Sequence, residues 1–203
     1  MADANPPLTV YIVDDDPAVR DSLALLLSLH GHATAQFGSA EDFLSAARAD
    51  WAGCAILDVR MPGMDGIALL DAMKARDIAI PALIVTAHGD VASARAAFKG
   101  DAVDFLEKPF DEATLLAAVD ACLERERRRL SCSLEDQRRS ASLEALSARE
   151  REVLGQLLLG HHNRDIASHF GISPRTVEVH KARILAKLGV RNVVDLIRLL
   201  HRA

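Results

Sequence analysis

The stretch Ala55-Ile56-Leu57-Asp58-Val59-Arg60-Met61-Pro62-Gly63-Met64-Asp65-Gly66 begins as an apolar strand, ends that strand on a carboxylate and continues into a loop containing Pro and Gly. A helix is predicted to begin near its last two residues. Loops that follow the carboxyl ends of parallel strands are where open α/β sheets bind ligands. Asp58 is therefore predicted to lie at the functional edge of a sheet. An isolated Asp could also be an ordinary turn or cap residue, so the interpretation depends on which other residues reach that edge.

Apolar segments and amphipathic helices alternate over residues 8–123. The predicted strands are 8–13, 33–37, 54–57, 82–86 and 103–106, and the predicted helices begin at Pro17, after Ser39, at Asp65-Gly66, at Val91 (residues 91–99) and at Asp111-Glu112. Near-continuous apolar strands are typical of a parallel sheet that is covered on both faces. The pattern predicts a flavodoxin-like α/β fold with a doubly wound sheet of five parallel strands.

Polar residues follow four of the five predicted strands. Asp14 and Asp15 follow the first strand, Asp58 ends the third, Thr86 ends the fourth and Lys108 follows the fifth. Because the carboxyl ends of parallel strands meet at one edge, we expect these side chains to converge on one pocket.

The chemistry that suits this set of residues is phosphoryl transfer to the Asp58 carboxylate as nucleophile. Crowded carboxylates favour a divalent cation with oxygen ligands, which predicts Mg²⁺, with Mn²⁺ as the alternative ion. Lys108 would stabilise charge on the phosphoryl oxygens, and the Thr86 hydroxyl would donate a hydrogen bond to one of them. Ala87 is small and would leave room for the phosphoryl donor.

Charge is distributed unevenly along the 203 residues, whose net charge is -5. Residues 1–123 hold 19 acidic and 8 basic side chains, and residues 124–203 hold 10 and 16. An acidic and a basic half suggest two domains with different partners, of which the basic one could face nucleic-acid phosphates. The sequence shows no secretory signal and no apolar run near the ~18 residues of a membrane span. With three scattered cysteines, it is expected to be a cytoplasmic protein with no membrane partner.

The second half predicts a helical domain. We place an α/β domain at 8–123, a partly helical linker at 124–143 with bends at 131–133 and 140–142, and a helix-turn-helix domain at 144–203. Asn163 is predicted to cap a helix that ends at Gly171, and Ser173-Pro174 to open the recognition helix. The candidate DNA contacts are Asn163, Arg175, Thr176, Glu178, Val179, Lys181, Ala182 and Arg183.

These candidates differ in what they could contact. Glu178 could accept a hydrogen bond from cytosine, and the apolar side chains could meet a thymine methyl group. Lys181 and Arg183 are better suited to phosphate oxygens, which position the helix without reading the sequence.

Four motifs resemble the receiver domain of bacterial two-component response regulators, over roughly residues 8–125. They are Val13-Asp14-Asp15-Asp16, Leu57-Asp58-Val59-Arg60-Met61-Pro62, Val85-Thr86-Ala87 and Glu107-Lys108-Pro109-Phe110. The resemblance implies that Asp58 accepts the phosphoryl group and that Asp14, Asp15 and the main-chain carbonyl of Arg60 surround Mg²⁺. It also implies a switch pair, Thr86 and Phe105, and a cis bond before Pro109. Gly100-Asp101-Ala102 departs from the Ala-Gly-Ala that is usual in the family.

The second half is similar to the LuxR/GerE-type output domain. The similarity rests on residues 146–154, on Asn163-Arg164-Asp165-Ile166-Ala167 and on residues 173–181. With the receiver motifs and residues 86–91, the chain is most similar to the FixJ branch of the FixJ/NarL response regulators. This implies a sensor histidine kinase as phosphoryl donor, a homodimer formed on phosphorylation, partly palindromic double-stranded DNA as target and RNA polymerase as a further partner.

Two other functions would use some of the same residues. An aspartate-dependent phosphatase would need a carboxylate two residues after the nucleophile, where this chain has Arg60. A binding module that never requires phosphorylation would use the receiver as a dimerisation scaffold, and the acidic residues with Thr86 and Lys108 disfavour it.

Overall fold

A computed structural model describes residues 7–87 and 102–200. The chain divides into two compact units, Met1–Leu130 and Ser131–Ala203. The helix predicted over 91–99 and the first two residues of Gly100-Asp101-Ala102 lie outside the described residues, as does most of the 86–91 motif.

The first unit contains a parallel sheet of five strands in the order β2-β1-β3-β4-β5. The strands are β1 (Thr9–Val13), β2 (Ala33–Phe37), β3 (Gly53–Asp58), β4 (Ala82–Thr86) and β5 (Asp104–Glu107). The predicted α/β fold is confirmed. The strand order reverses between β1 and β3, and such a reversal opens a crevice at the carboxyl ends of the two strands.

Helices cover both faces of this sheet. They are α1 (Pro17–Leu29), α2 (Ala40–Ala46), α3 (Gly66–Ala75) and α4 (Glu112–Glu144). The side chains of Asp16, Ser39 and Asp65 accept hydrogen bonds from main-chain N–H groups in the first turns of α1, α2 and α3. These residue types are preferred caps because they satisfy N–H groups that have no partner within the helix.

Two hydrophobic clusters lie in the first unit, one on each face of the sheet. The first contains Tyr11, Phe43 and Leu57, and the second contains Ile12, Leu83 and Cys54. Cys54 is fully buried in the second cluster. The side chain of Trp51 stacks on Tyr11 with ring centroids 4.2 Å apart.

Helix α4 is longer than the sequence suggested. It runs without interruption from Glu112 to Glu144, so the bends predicted at 131–133 and 140–142 are wrong. The hydroxyl of Ser142 donates a hydrogen bond of 2.8 Å to the carbonyl oxygen of Arg138 one turn earlier. A serine that bonds back in this way is accommodated inside a helix. The boundary between the two compact units falls within this helix.

The second unit is helical over its described residues. After the end of α4 it contains α5 (Ala148–Leu158), α6 (Asn163–Phe170), α7 (Pro174–Lys187) and α8 (Val193–Leu200). Helices α6 and α7 are joined by Gly171-Ile172-Ser173, with Gly171 in the left-handed conformation at φ 66°. The predicted helix-turn-helix is therefore formed. The second unit has its own core, which includes Val153, Ile166 and Ile184.

The predicted cap of α6 is wrong by one residue. Helix α6 begins at Asn163, and the residue before it, His162, occupies the N-cap position. The main-chain N–H of His162 donates to the carboxylate of Asp165 at 3.3 Å. The side chain of Asn163 donates a hydrogen bond to Glu178 instead. In residues 7–87 and 102–200, no helix combines the length and apolar character that crossing a membrane requires.

Candidate functional site

The carboxyl ends of β1 and β3 place two aspartates side by side. Val13 is paired with Leu57 in the parallel register, so the next residue on each strand, Asp14 and Asp58, leaves the sheet at the same edge. Both residues are largely buried, with exposed fractions of 4% for Asp14 and 7% for Asp58. Two buried carboxylates at one edge repel each other, and they require a cation or hydrogen-bond donors.

The ammonium group of Lys108 supplies that cation. Its Nζ donates hydrogen bonds of 2.8 Å to Asp14 Oδ2 and 2.8 Å to Asp58 Oδ1. Main-chain groups bind the other oxygens: the N–H of Asp16 donates to Asp14 Oδ1 at 2.9 Å, and the N–H of Arg60 donates to Asp58 Oδ2 at 2.7 Å. All four carboxylate oxygens therefore have a donor, and the pair is held rigidly.

Lys108 is itself fixed by its strand. Its main-chain N–H donates to the carbonyl oxygen of Thr86 at 2.7 Å, continuing the pairing of β4 with β5. The bond between Lys108 and Pro109 is cis, as the family resemblance implied.

Burial and charge act in opposite directions on the ionisation of this group. Burial raises the pKa of Asp58, the contacts with Lys108 and the N–H of Arg60 lower it, and the charge of Asp14 raises it, so that the pKa lies above its usual value. For Lys108, burial lowers the pKa, but the hydrogen bonds to both carboxylates outweigh it and leave the pKa raised. The ammonium is therefore charged at neutral pH, and Asp58 holds a proton more readily than an exposed aspartate.

The other predicted members of the pocket lie around this core. Thr86 is buried at the end of β4, and Phe105 is half-buried against the first hydrophobic cluster. Asp15 and Ala87 are exposed. Of the predicted carboxylates, the structure brings together Asp14 and Asp58.

The donor chemistry fits a divalent cation with few protein ligands. No group of three His, Cys, Asp or Glu side chains suited to a metal ion occurs in the part of the chain that the structure describes. Mg²⁺ does not need one, because it is usually bound through one or two carboxylates, with water and phosphate completing its shell. Asp14 and Asp58 share one cation, Lys108 Nζ, so they lie close enough to share another. Asp14, Asp58 and the Arg60 carbonyl would hold the ion. Exposed Asp15 lies next to Asp14, in the loop after β1.

Two residues near the site were not singled out in the sequence. Arg20 of α1 donates from Nη1 to the carbonyl oxygen of Asp14 at 2.7 Å. Glu41 of α2 accepts a hydrogen bond from the main-chain N–H of Met64 at 3.1 Å, in the loop that follows Asp58. Both contacts depend on how separate elements pack, and no local motif signals them.

The candidate DNA contacts lie on and beside the exposed side of α7. Arg175, Glu178, Val179, Ala182 and Arg183 are exposed, while Thr176, Lys181 and Asn163 are half-buried. Val177 and Ile184 of the same helix are buried in the core of the second unit. The helix thus presents one polar face while its apolar face fixes its orientation.

Two predicted contacts are bonded to other residues in the second unit. The side-chain amide of Asn163 donates a hydrogen bond to the carboxylate of Glu178, which links the start of α6 to α7. The hydroxyl of Thr176 bonds that of Ser173, the N-cap of α7, at 2.8 Å. Asn163 therefore orients Glu178, and Thr176 belongs to the cap of the recognition helix.

Charged side chains of the second unit also join helix α5 to helices α6 and α7. The Arg149 guanidinium lies 4.1 Å from the centroid of the Phe170 ring and donates to the Phe170 carbonyl oxygen at 3.2 Å. Glu150 forms a capping box with Ser147 at the start of α5 and accepts a hydrogen bond of 2.7 Å from Lys187 Nζ. These bonds from Lys187 and Ser147 lower the pKa of Glu150 to about 2.

Both units match known protein families. Residues 10–120 match the response regulator receiver domain, and residues 144–200 match the bacterial regulatory proteins of the luxR family.

Two relatives match over nearly the whole length of this chain and of their own. The chain is 42% identical over 194 residues to the transcriptional regulatory protein FixJ of Bradyrhizobium diazoefficiens, covering 96% of this chain and 95% of that protein. It is 42% identical over 193 residues to the C4-dicarboxylate transport transcriptional regulatory protein DctR of Rhodobacter capsulatus, covering 94% and 98%.

Solved structures agree with this assignment. The response regulator StyR has a TM-score of 0.86 at 38% identity, covering 98% of this chain and 100% of that one. Full-length FixJ from B. japonicum has a TM-score of 0.61 at 41% identity, covering 98% of both chains. The protein belongs to the two-component response regulators that join a receiver domain to a luxR-type DNA-binding domain and regulate transcription.

Proposed function

We propose that a sensor histidine kinase transfers a phosphoryl group to Asp58 and that this modification controls DNA binding by the second unit. The observation that carries the proposal is the bridge from Lys108 Nζ to Asp14 and Asp58, at 2.8 Å to each. It orients a nucleophilic carboxylate at the sheet edge beside a fixed positive charge, which is what in-line attack on a phosphoryl group requires. The receiver spans 8–123, the linker 124–143 and the DNA-binding domain 144–203.

Each residue of the pocket has a separate role in phosphoryl transfer. Asp58 attacks the phosphorus through a carboxylate oxygen while the N–H of Arg60 holds its other oxygen; the bond from phosphorus to the histidine nitrogen of the kinase breaks, and that nitrogen leaves with the electron pair. Asp14, Asp15, Asp58 and the Arg60 carbonyl would hold Mg²⁺, or Mn²⁺ in its place, which would neutralise charge on the phosphoryl oxygens. Lys108, which follows β5, stabilises the phosphoryl oxygens through its ammonium group. After transfer, the hydroxyl of Thr86 donates a hydrogen bond to one phosphoryl oxygen, and Phe105 moves with Thr86. Ala87 is small and leaves room for the phosphoryl donor.

The activity is limited to accepting and hydrolysing the phosphoryl group. Phosphorylation favours a homodimer whose two recognition helices enter adjacent major grooves of double-stranded DNA in the cytoplasm, where RNA polymerase is the further partner. Arg175, Glu178, Val179 and Ala182 would face base edges, while Lys181 and Arg183 would contact phosphates. Asn163 and Thr176 would act by fixing the neighbouring side chains.

The test compares wild type with Asp58→Asn and with Asp42→Asn, which removes an exposed carboxylate elsewhere in the same unit. Wild type and Asp42→Asn incubated with acetyl phosphate and Mg²⁺ should gain the mass of one phosphoryl group, and Asp58→Asn should not. In cells, genomic sites occupied by wild type should lose occupancy in the Asp58→Asn strain. Equal occupancy would favour the scaffold interpretation, and continuous turnover of small phosphate esters would favour the phosphatase.

A further inference from the structure

The loop that follows Asp58 is held by a side chain from another part of the sheet edge. The loop covers residues 59–65, between β3 and α3, and contains the Arg60 carbonyl that the proposed function assigns to the metal. Glu41, in the first turn of α2, accepts a hydrogen bond at Oε1 from the main-chain N–H of Met64 at 3.1 Å. This contact joins residues that are 23 apart in the sequence.

Gly63 allows Glu41 to approach. Its φ is +80°, a conformation that favours glycine, and a Cβ added there would lie 2.9 Å from Glu41 Oε1. A side chain at this position would displace the carboxylate from the loop. The backbone of the loop and the carboxylate of Glu41 therefore fit together as one unit.

In the middle of the loop, Met61 is buried in the first hydrophobic cluster and Met64 packs against it, and the other described hydrogen bonds of the loop lie at its two ends. At the start, the N–H of Arg60 donates to Asp58 Oδ2 at 2.7 Å. At the end, Asp65 caps α3 and the N–H of Gly66 donates to the Val59 carbonyl oxygen at 3.1 Å. Glu41 supports the middle of the loop from outside, so its loss would allow Arg60 to move relative to Asp14 and Asp58.

We infer that Glu41 is a positioning residue for the divalent-cation site: by holding residues 63 and 64, it keeps the Arg60 carbonyl beside the two buried aspartates. The inference rests on the proposed function, since it presumes a cation at that site. Groups that orient metal ligands contribute to affinity without touching the ion. Because the contribution comes from an accepted hydrogen bond, a glutamine should replace the glutamate, whereas an alanine should not.

The experiment is a Mg²⁺ titration of the full-length chain, followed by the backbone amide chemical shifts of residues 58–61 and 63–66. Glu41→Ala should weaken Mg²⁺ binding by about threefold to tenfold, the range expected for one lost hydrogen bond that holds a loop. Glu41→Gln should stay within about twofold of wild type. The matched control is Asp42→Ala, which removes a carboxylate from the same helical turn, and it should bind Mg²⁺ like wild type.

Each other outcome has a defined meaning. If Glu41→Gln and Glu41→Ala weaken binding equally, the charge of Glu41 matters and the positioning role is wrong. If Glu41→Ala binds Mg²⁺ like wild type, the role is likewise wrong, although the proposed function stands. If wild type shows no shift with Mg²⁺ and gains no phosphoryl group from acetyl phosphate, the proposed function fails first.

Discussion

Replacement of Lys108 by methionine should destabilise the first unit in a manner that depends on pH. Methionine keeps an unbranched side chain of similar length but removes the ammonium that bridges Asp14 and Asp58. Two largely buried carboxylates then face each other with main-chain N–H groups as their remaining donors. Breaking a buried ion pair by removing one partner leaves uncompensated charge, which is costly.

The size of the effect follows from the two lost contacts. Each is a charge-assisted hydrogen bond of 2.8 Å, and such bonds contribute roughly 1.5–3 kcal/mol each. Burial of the ammonium offsets part of this, and the 23% exposure of the Lys108 side chain admits screening by water. We expect the free energy of unfolding to fall by about 2 kcal/mol, which lowers the urea midpoint by about 1 M for a domain of this size.

The pH dependence has a definite sign. Lys108 opposes the rise of the Asp58 pKa caused by burial and by Asp14, so its loss raises that pKa further. A carboxyl whose pKa is higher in the folded than in the unfolded state binds its proton more tightly when folded, and stability increases as the pH falls through the folded pKa. The deficit of Lys108→Met relative to wild type should therefore shrink between about pH 7.5 and about pH 4.5.

The assay is urea unfolding of the full chain followed by the fluorescence of Trp51, the one tryptophan in the sequence. Its stacking on Tyr11 makes it a reporter of the first unit. Lys108→Arg retains the charge and should recover most of the stability, and Asp15→Asn, at an exposed position, should change it by less than about 0.5 kcal/mol. An unchanged midpoint in Lys108→Met, or a deficit that grows at low pH, would refute the reasoning.

Two further predictions concern stability in each unit. The pKa of Glu150 is lowered from 4.5 to about 2. The carboxylate therefore stabilises the fold at pH values above the pKa of the unfolded chain, and this contribution is lost as the pH falls toward 2. Glu150→Gln should melt at a lower temperature than wild type by circular dichroism at neutral pH, with the difference vanishing in acid, and a difference that stays constant with pH would contradict this. A Cβ at Gly66 would lie 2.2 Å from the Asp58 carbonyl oxygen, whereas Gly155, inside α5, has open space. Gly66→Ala should thus lower the melting temperature and slow phosphorylation of Asp58. Gly155→Ala should instead stabilise the second unit by about 0.5–1 kcal/mol in the same melting assay. Stabilisation by Gly66→Ala would show that the loop adapts.

The sheet edge could be predicted because strand direction determines it. Once the strands are recognised as parallel, Asp14, Asp58 and Lys108 must leave the sheet at the same end, whatever the details of packing. The exposed position of Asp15 could not be predicted in this way. Consecutive residues after a strand point in different directions, and the turn that decides between them is fixed by the hydrogen bond from the N–H of Asp16 to Asp14.

Predictions failed where local signals were weak or ambiguous. The serines at 131–133 and 140–142 suggested bends, but flanking ion pairs one helical turn apart, such as Arg128 with Glu124, support an unbroken helix. At α6, both His162 and Asn163 precede the apolar residues, and asparagine is the commoner cap. The structure instead places His162 at the cap position, and the side-chain amide of Asn163 donates to Glu178.

A lysine rather than an arginine at position 108 fits the proposed chemistry. An ammonium group has three rotatable donors, and two of them are directed at Asp14 and Asp58. The third can meet a phosphoryl oxygen without releasing Asp14. Phosphorylation brings a charge near -2 to Asp58, so the same cation that balances two carboxylates also balances the modified pair. A planar guanidinium with fixed donor directions could restore the charge but could not add a phosphoryl oxygen while keeping its bond to Asp14, and Lys108→Arg should therefore recover stability more completely than it recovers phosphoryl transfer.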